Sequence, residues 1–240
     1  MTVDIDLVST VVGTSPGLRA VMALPEGKGP WPAVVLLHEA FGVDEEMRKQ
    51  VVKVASLGYL AIMPDLFSAG GFRRCITSTM RAMASGKGMA YADIEAAREF
   101  AATHPQSSGI VGVLGFCMGG GFALMTANTG FAAASVNYGM LPSDLAQRVE
   151  DSCPVVASYG ARDVTLRGAA AKLEAAYTAA GVIHDVKEYP NAGHVFLNEK
   201  LNGPAFLGPL VRVLNFGPDH EAAADAWQRI DAFFGEHLRS

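Results

Sequence analysis

The stretch Ile110-Val111-Gly112-Val113-Leu114-Gly115-Phe116-Cys117-Met118-Gly119-Gly120-Gly121 decides how the rest of the chain is read. Ile110 to Gly115 is a short apolar run, the pattern of a buried parallel strand, and a helix is predicted from Met118 to about Ala127. Cys117 therefore falls in a sharp strand-to-helix turn that pushes its side chain out from the sheet edge. Such a turn requires that the positions two before and two after be nearly free of side chain. Gly115 and Gly119 meet that need, which makes the run a G-x-C-x-G nucleophile elbow with sulfur in place of a hydroxyl. The N–H of Met118, in the first turn of the helix, would face an oxyanion, and the positive end of that helix would favour a thiolate on Cys117.

Working outward, apolar runs alternate with helical periodicity, the sign of an α/β fold with a mainly parallel central sheet flanked by helices on both faces. Val3–Val12 and Leu18–Leu24 read as opening antiparallel strands. Ala33–Leu37, Tyr59–Met63, Ile110–Gly115, Ala133–Tyr138, Val155–Tyr159 and Ile183–Tyr189 read as the strands that follow. Helices are predicted from the cap Asp44 to Leu57, over Met89–Thr103, after Cys117, over Leu166–Ala180 and over Glu221–Leu238, with a Gly-rich then helical stretch between Phe67 and Gly88. Asn198 to His220, with three Gly-Pro dipeptides, is the longest irregular piece. No linker or repeat divides the chain, so residues 1–240 read as a single domain.

Composition narrows the partners. Half the residues are hydrophobic and 18% are charged, enough apolar material to offset chain entropy. The 19 basic and 24 acidic residues give a net charge of −5 with no basic block, which argues against nucleic acid or an anionic membrane. Cys75, Cys117 and Cys153 form no C-x-x-C pair and have no close histidine, so neither a disulfide framework nor a metal cage is implied. The G-x-G-x-x-G spacing of a dinucleotide loop is absent at the strand end, and no cofactor is called for. Without a secretory pattern or a membrane-length apolar run, the expected compartment is the cytoplasm.

A free thiol is only a few per cent thiolate at neutral pH, so useful attack needs a base and an acid to orient it. In this class of sheet both follow at the carboxyl ends of later strands. Val155–Tyr159 leads to Gly160-Ala161-Arg162-Asp163, and Ile183–Tyr189 leads to Pro190-Asn191-Ala192-Gly193-His194. The order Cys117, Asp163, His194 is that of nucleophile, orienting acid and general base. His38, His104, His184, His220 and His237 lie at positions that fit the base less well.

These residues carry a resemblance that covers nearly the whole chain. His38-Glu39-Ala40-Phe41-Gly42, Met63-Pro64-Asp65-Leu66-Phe67, the cysteine elbow, Gly160-Ala161-Arg162-Asp163 and Gly193-His194 together resemble the dienelactone hydrolase family of α/β-hydrolases. The resemblance implies Cys117 as nucleophile, Asp163 as orienter, His194 as base and then acid, and Glu39 as an acid beside the resting thiol. It also implies the N–H of Ala40 as a second oxyanion donor beside that of Met118. Family members clamp a substrate carboxylate with two arginines. Here Asn198 stands four residues beyond His194 and Ser68-Ala69-Gly70 fill the other region, so both clamps are missing; Arg73 and Arg74, close by, read either as solvated arginines at a helix start or as a replacement for one clamp.

The expected chemistry is hydrolysis of a small ester or lactone by a monomer or small homo-oligomer. A non-catalytic ligand-binding protein of the same fold is the alternative, and a redox-sensing thiol a third reading.

Overall fold

The computed structural model describes residues 1–201 and 216–239. Its strands are β1 (Val3–Asp6), β2 (Arg19–Ala23), β3 (Trp31–Leu37), β4 (Leu60–Pro64), β5 (Ser107–Phe116), β6 (Ala134–Asn137), β7 (Val155–Gly160) and β8 (His184–Tyr189). They form one sheet in the order β1-β2-β4-β3-β5-β6-β7-β8. The β1/β2 and β2/β4 pairs are antiparallel and every later pair is parallel. The helices are α1 (Glu45–Ser56), α2 (Phe72–Ser85), α3 (Met89–Thr103), α4 (Met118–Thr126), α5 (Leu145–Arg148), α6 (Ala169–Ala180) and α7 (His220–Leu238).

Alternation along the strands divides the core into two layers. Val34 and Leu36 of β3 join α1 (Met47, Val51) and α7 (Trp227, Ile230) on one face. Val35 and Leu37 face the other way, with α2, α3, α4 and α6 contributing Met83, Ile94, Phe122 and Leu173. Both sheet faces are thus covered, which is why the parallel strands read as continuous apolar runs.

Several bounds differ from the sequence reading for local reasons. β1 ends at Asp6 because its ladder with β2 ends there, and Val8 and Val12 beyond it are almost fully exposed. α6 begins at Ala169 rather than Leu166 because Gly168 takes a left-handed φ of 70°, outside helical space. The four-residue α5 is too short to leave a period in the sequence. The predicted irregular segment lies outside the described residues over 202–215, and His220 already belongs to α7. Among the described residues no helix is long and apolar enough to cross a membrane.

Candidate active site

Parallel register brings the carboxyl ends of β3, β5, β6, β7 and β8 to one edge, and the site is assembled there. Leu37 pairs with Gly115, Phe116 with Asn137, and Gly160 with Tyr189. Cys117 sits just beyond β5 at φ 53°, ψ −113°, a conformation that costs a non-glycine residue about 1–3 kcal/mol. Its N–H donates to the carbonyl of Asn137 at 3.1 Å, which ties the elbow to the neighbouring strand. The glycines work by steric clearance. A Cβ on Gly119 would stand 2.0 Å from the carbonyl oxygen of Leu37, and one on Gly115 would stand 1.9 Å from that of Gly119. Met118 opens α4, so the helix ladder leaves its N–H unclaimed, and the N–H of Ala40 has no acceptor among the described residues.

Cys117 is half-buried, and its sulfur lies 3.1 Å from Nε2 of His194. Nδ1 of the same ring lies 2.5 Å from Oδ2 of Asp163. The other oxygen of Asp163 accepts from the Thr165 N–H at 2.9 Å and from its hydroxyl at 2.6 Å, so the carboxylate is held at both ends. The imidazole packs against Phe216 and Tyr138, with ring centroids 4.5 and 5.1 Å away. Burial pushes the His194 pKa down, but the neighbouring Cys117 and Asp163 outweigh it and raise the value above the ordinary one. Burial likewise pushes Asp163 up, and the hydrogen bonds from His194 and Thr165 reverse this to a net lowering.

Glu39 follows β3 in a turn fixed by His38, whose Nδ1 lies 2.7 Å from the Glu39 carbonyl while Nε2 accepts the Leu66 N–H at 3.1 Å. Burial lowers the His38 pKa, in keeping with a neutral structural imidazole. The Glu39 carboxyl is buried and accepts from the Tyr138 hydroxyl at 3.3 Å and from Nδ2 of Asn198. Burial, with Glu39 and Cys117 nearby, raises the Tyr138 pKa well above that of a free phenol and keeps it a donor.

A cleft of about 870 Å³ opens on Cys117 and His194 between the segment Met140–Ala146 and the start of α6. The sequence-predicted site residues divide accordingly. Cys117, His194 and Asp163 are joined in one line of contacts, whereas Glu39, at the end of β3, is held by Tyr138 and Asn198, and neither Glu39 nor Asn198 borders the cleft. Arg73 and Arg74 are exposed on α2, and Arg74 borders a separate hollow beside α3. Among the described residues the cations that line the cleft are Arg167 and Lys172, which the sequence reading did not single out. Tyr138 and Thr165 were also missed. Asp163-Val164-Thr165 has the spacing of a turn in which an Asp accepts from the residue two ahead, and that signal pointed to Thr165.

The sheet order and the elbow define an α/β-hydrolase fold. A solved Klebsiella pneumoniae structure, provisionally assigned as a dienelactone hydrolase, shares 25% identity, with a TM-score of 0.76 over 98% of this chain and 99% of its own. A dienelactone hydrolase-like promiscuous phosphotriesterase from metagenomic libraries has the same fold, with 23% identity and a TM-score of 0.78 over 99% of both chains. The carboxymethylenebutenolidase of Pseudomonas putida is 29% identical over 187 residues, 73% of this chain and 79% of that protein. The profile of the dienelactone hydrolase family matches residues 18–238. The chain belongs to that family and is a carboxylic ester hydrolase.

Proposed function

We propose that the protein hydrolyses a small ester or lactone through a thioester on Cys117. The observation that carries this reading is the unbroken contact from Asp163 through His194 to the sulfur. Nε2 of His194 holds the proton that Cys117 gives up, and the imidazolium of this pair is stabilised by Asp163 and by the charge on sulfur. The thiolate adds to the carbonyl carbon, and the N–H groups of Met118 and Ala40 receive the oxyanion. As the tetrahedral species collapses, the C–O bond breaks and His194 returns its proton to the departing oxygen. For a lactone the alcohol so formed stays attached to the acyl chain. His194 then takes a proton from water, the hydroxide adds to the thioester, and collapse expels the thiolate and releases the acid.

An enolate departs with little help and an alkoxide with the proton from His194, whereas the more basic amine must be fully protonated in the transition state, so esters and lactones with stabilised leaving groups are preferred over amides. Glu39 acts on the resting state. A buried carboxylate near the elbow disfavours a second negative charge on sulfur until substrate enters.

Rapid quench with an activated phenyl ester, followed by mass spectrometry, tests the reading. The expected result is an acyl adduct on Cys117 and loss of turnover after alkylation of that thiol. Turnover that survives alkylation of Cys117 overturns it.

A further inference from the structure

The cleft beside Cys117 is larger than a compact lactone requires and one-sided in charge. Its volume of about 870 Å³ lies toward the upper end of the ~300–1,000 Å³ common for small-molecule sites. Ala169, Lys172 and Ala176 line it from one face of α6, and the seven helical steps from first to last extend about 10 Å along the helix. Met140, Leu141 and Leu145 form the opposite wall, which is apolar.

Among the described residues, Arg167 and Lys172 are the charged side chains of the lining and no Asp or Glu borders it. Neither cation has an ion-pair partner among the described residues. Glu174, the one carboxylate of α6, is engaged by His184 at 3.3 Å. The sequence of 202–215 contains no Asp or Glu. In a chain of net charge −5, two exposed cations with no carboxylate partner among the described residues thus share one cleft with Cys117, along an apolar wall.

We propose that Arg167 and Lys172 form an anion-recognition pair, and that the substrate is an ester whose acyl part is an apolar arm of several carbons ending in a carboxylate or similar anion. The guanidinium offers a planar fork to such a group and the ammonium a movable point charge. The apolar arm fills the wall between them and the elbow, and it stays bound while the acyl group is held as thioester. This substrate class rests on the hydrolytic reading above. It differs from a compact lactone in needing length as well as charge.

Two esters with the same leaving group and acyl length test it, 4-nitrophenyl hexanoate and the mono-4-nitrophenyl ester of adipate. In the unaltered protein the anionic ester is expected to have a kcat/KM about tenfold above the neutral one at low salt, the scale of one or two screened charge contacts. That ratio should fall toward unity in the double variant Arg167→Gln/Lys172→Gln and in ~0.5 M salt, where screening is strong. Adipate binding to Cys117→Ser, measured by calorimetry, reads the pair without turnover and should weaken about tenfold when both cations are replaced. Thiol-dependent turnover with no preference for the anionic ester, and adipate binding indifferent to the two cations, overturns the anion pair and leaves the hydrolase reading intact. Absence of turnover with cation-dependent adipate binding overturns the hydrolase reading instead and keeps the pair as a ligand site. Neither turnover nor binding overturns both.

Discussion

The side-chain amide of Asn198 donates to both carboxylate oxygens of Glu39, at 3.2 Å each, although the two residues stand 159 positions apart. Each is 2% exposed, so the carboxylate relies on protein donors for what water would otherwise supply. Asn198→Leu removes the one donor that reaches both oxygens, leaves the Tyr138 hydroxyl on Oε1, and puts an apolar group of similar size against the carboxylate. The expected cost is about 1–3 kcal/mol of unfolding free energy, the range for taking hydrogen bonds away from a buried acceptor. Adding Glu39→Gln should recover part of it, because a neutral amide is cheaper to strand than a charge. Urea unfolding of the two single variants and the double variant checks this, and strictly additive losses would show that the two side chains are not coupled.

The backbone of Gly160 sets the distance between the acid and the histidine. A Cβ there would stand 2.4 Å from the Gly193 carbonyl and 2.5 Å from that of Ala192, so the His194 loop closes onto the end of β7 only over a bare Cα. Gly160→Ala is expected to push that loop outward, lengthening the contact from Asp163 to His194. Ester turnover should fall at least tenfold, and stability by about 1–3 kcal/mol, the scale of overpacking. A variant of full activity and unchanged melting would show that the loop yields without consequence.

The parts of this site legible in the sequence are those fixed by local sterics or by sheet topology. Gly115, Cys117 and Gly119 lie within five residues and satisfy one turn, and Asp163 and His194 follow from strand order alone. Asn198, Arg73 and Arg74 obey no such local rule. Whether a loop residue faces substrate or a buried carboxylate depends on how distant segments close over the sheet edge, and Asn198 turned inward. The cleft cations were hidden for the same reason. Lys172 borders the cleft only because Met140–Ala146 happens to lie across from α6, a juxtaposition with no period in the sequence.

Thr165 is a positioning residue, since it touches Asp163 through its hydroxyl at 2.6 Å and its N–H at 2.9 Å. Thr165→Val keeps shape and the backbone donor but loses the hydroxyl, freeing Asp163 to rotate away from the imidazole. The expected loss in kcat is several-fold, about 1 kcal/mol in barrier, the worth of one hydrogen bond. Thr165→Ser should restore most of it, because the hydroxyl returns without the methyl. Equal losses in both variants would assign the effect to packing.

The pH dependence of stability follows from the signs of two shifts. The Asp163 pKa is lowered from its ordinary 3.8, despite burial that raises it, because hydrogen bonds from His194 and Thr165 prevail. Its contribution is complete above 3.8 and is lost as pH falls through the depressed value. The His194 pKa is raised from 6.5, despite burial that lowers it, because Cys117 and Asp163 prevail; its contribution is complete below 6.5 and is lost as pH rises through the raised value. Both are therefore fully present between 3.8 and 6.5. Asp163→Asn abolishes the carboxylate and weakens its hold on the imidazolium. The gap in unfolding free energy between the unaltered protein and this variant is expected to be widest in that window and to narrow on both sides. On the acid side it narrows because a protonated Asp163 resembles the amide, and on the alkaline side because a neutral His194 no longer needs the charge. Urea unfolding across a pH series reads the gap directly, and a gap constant at every pH would refute the ion pair as its source.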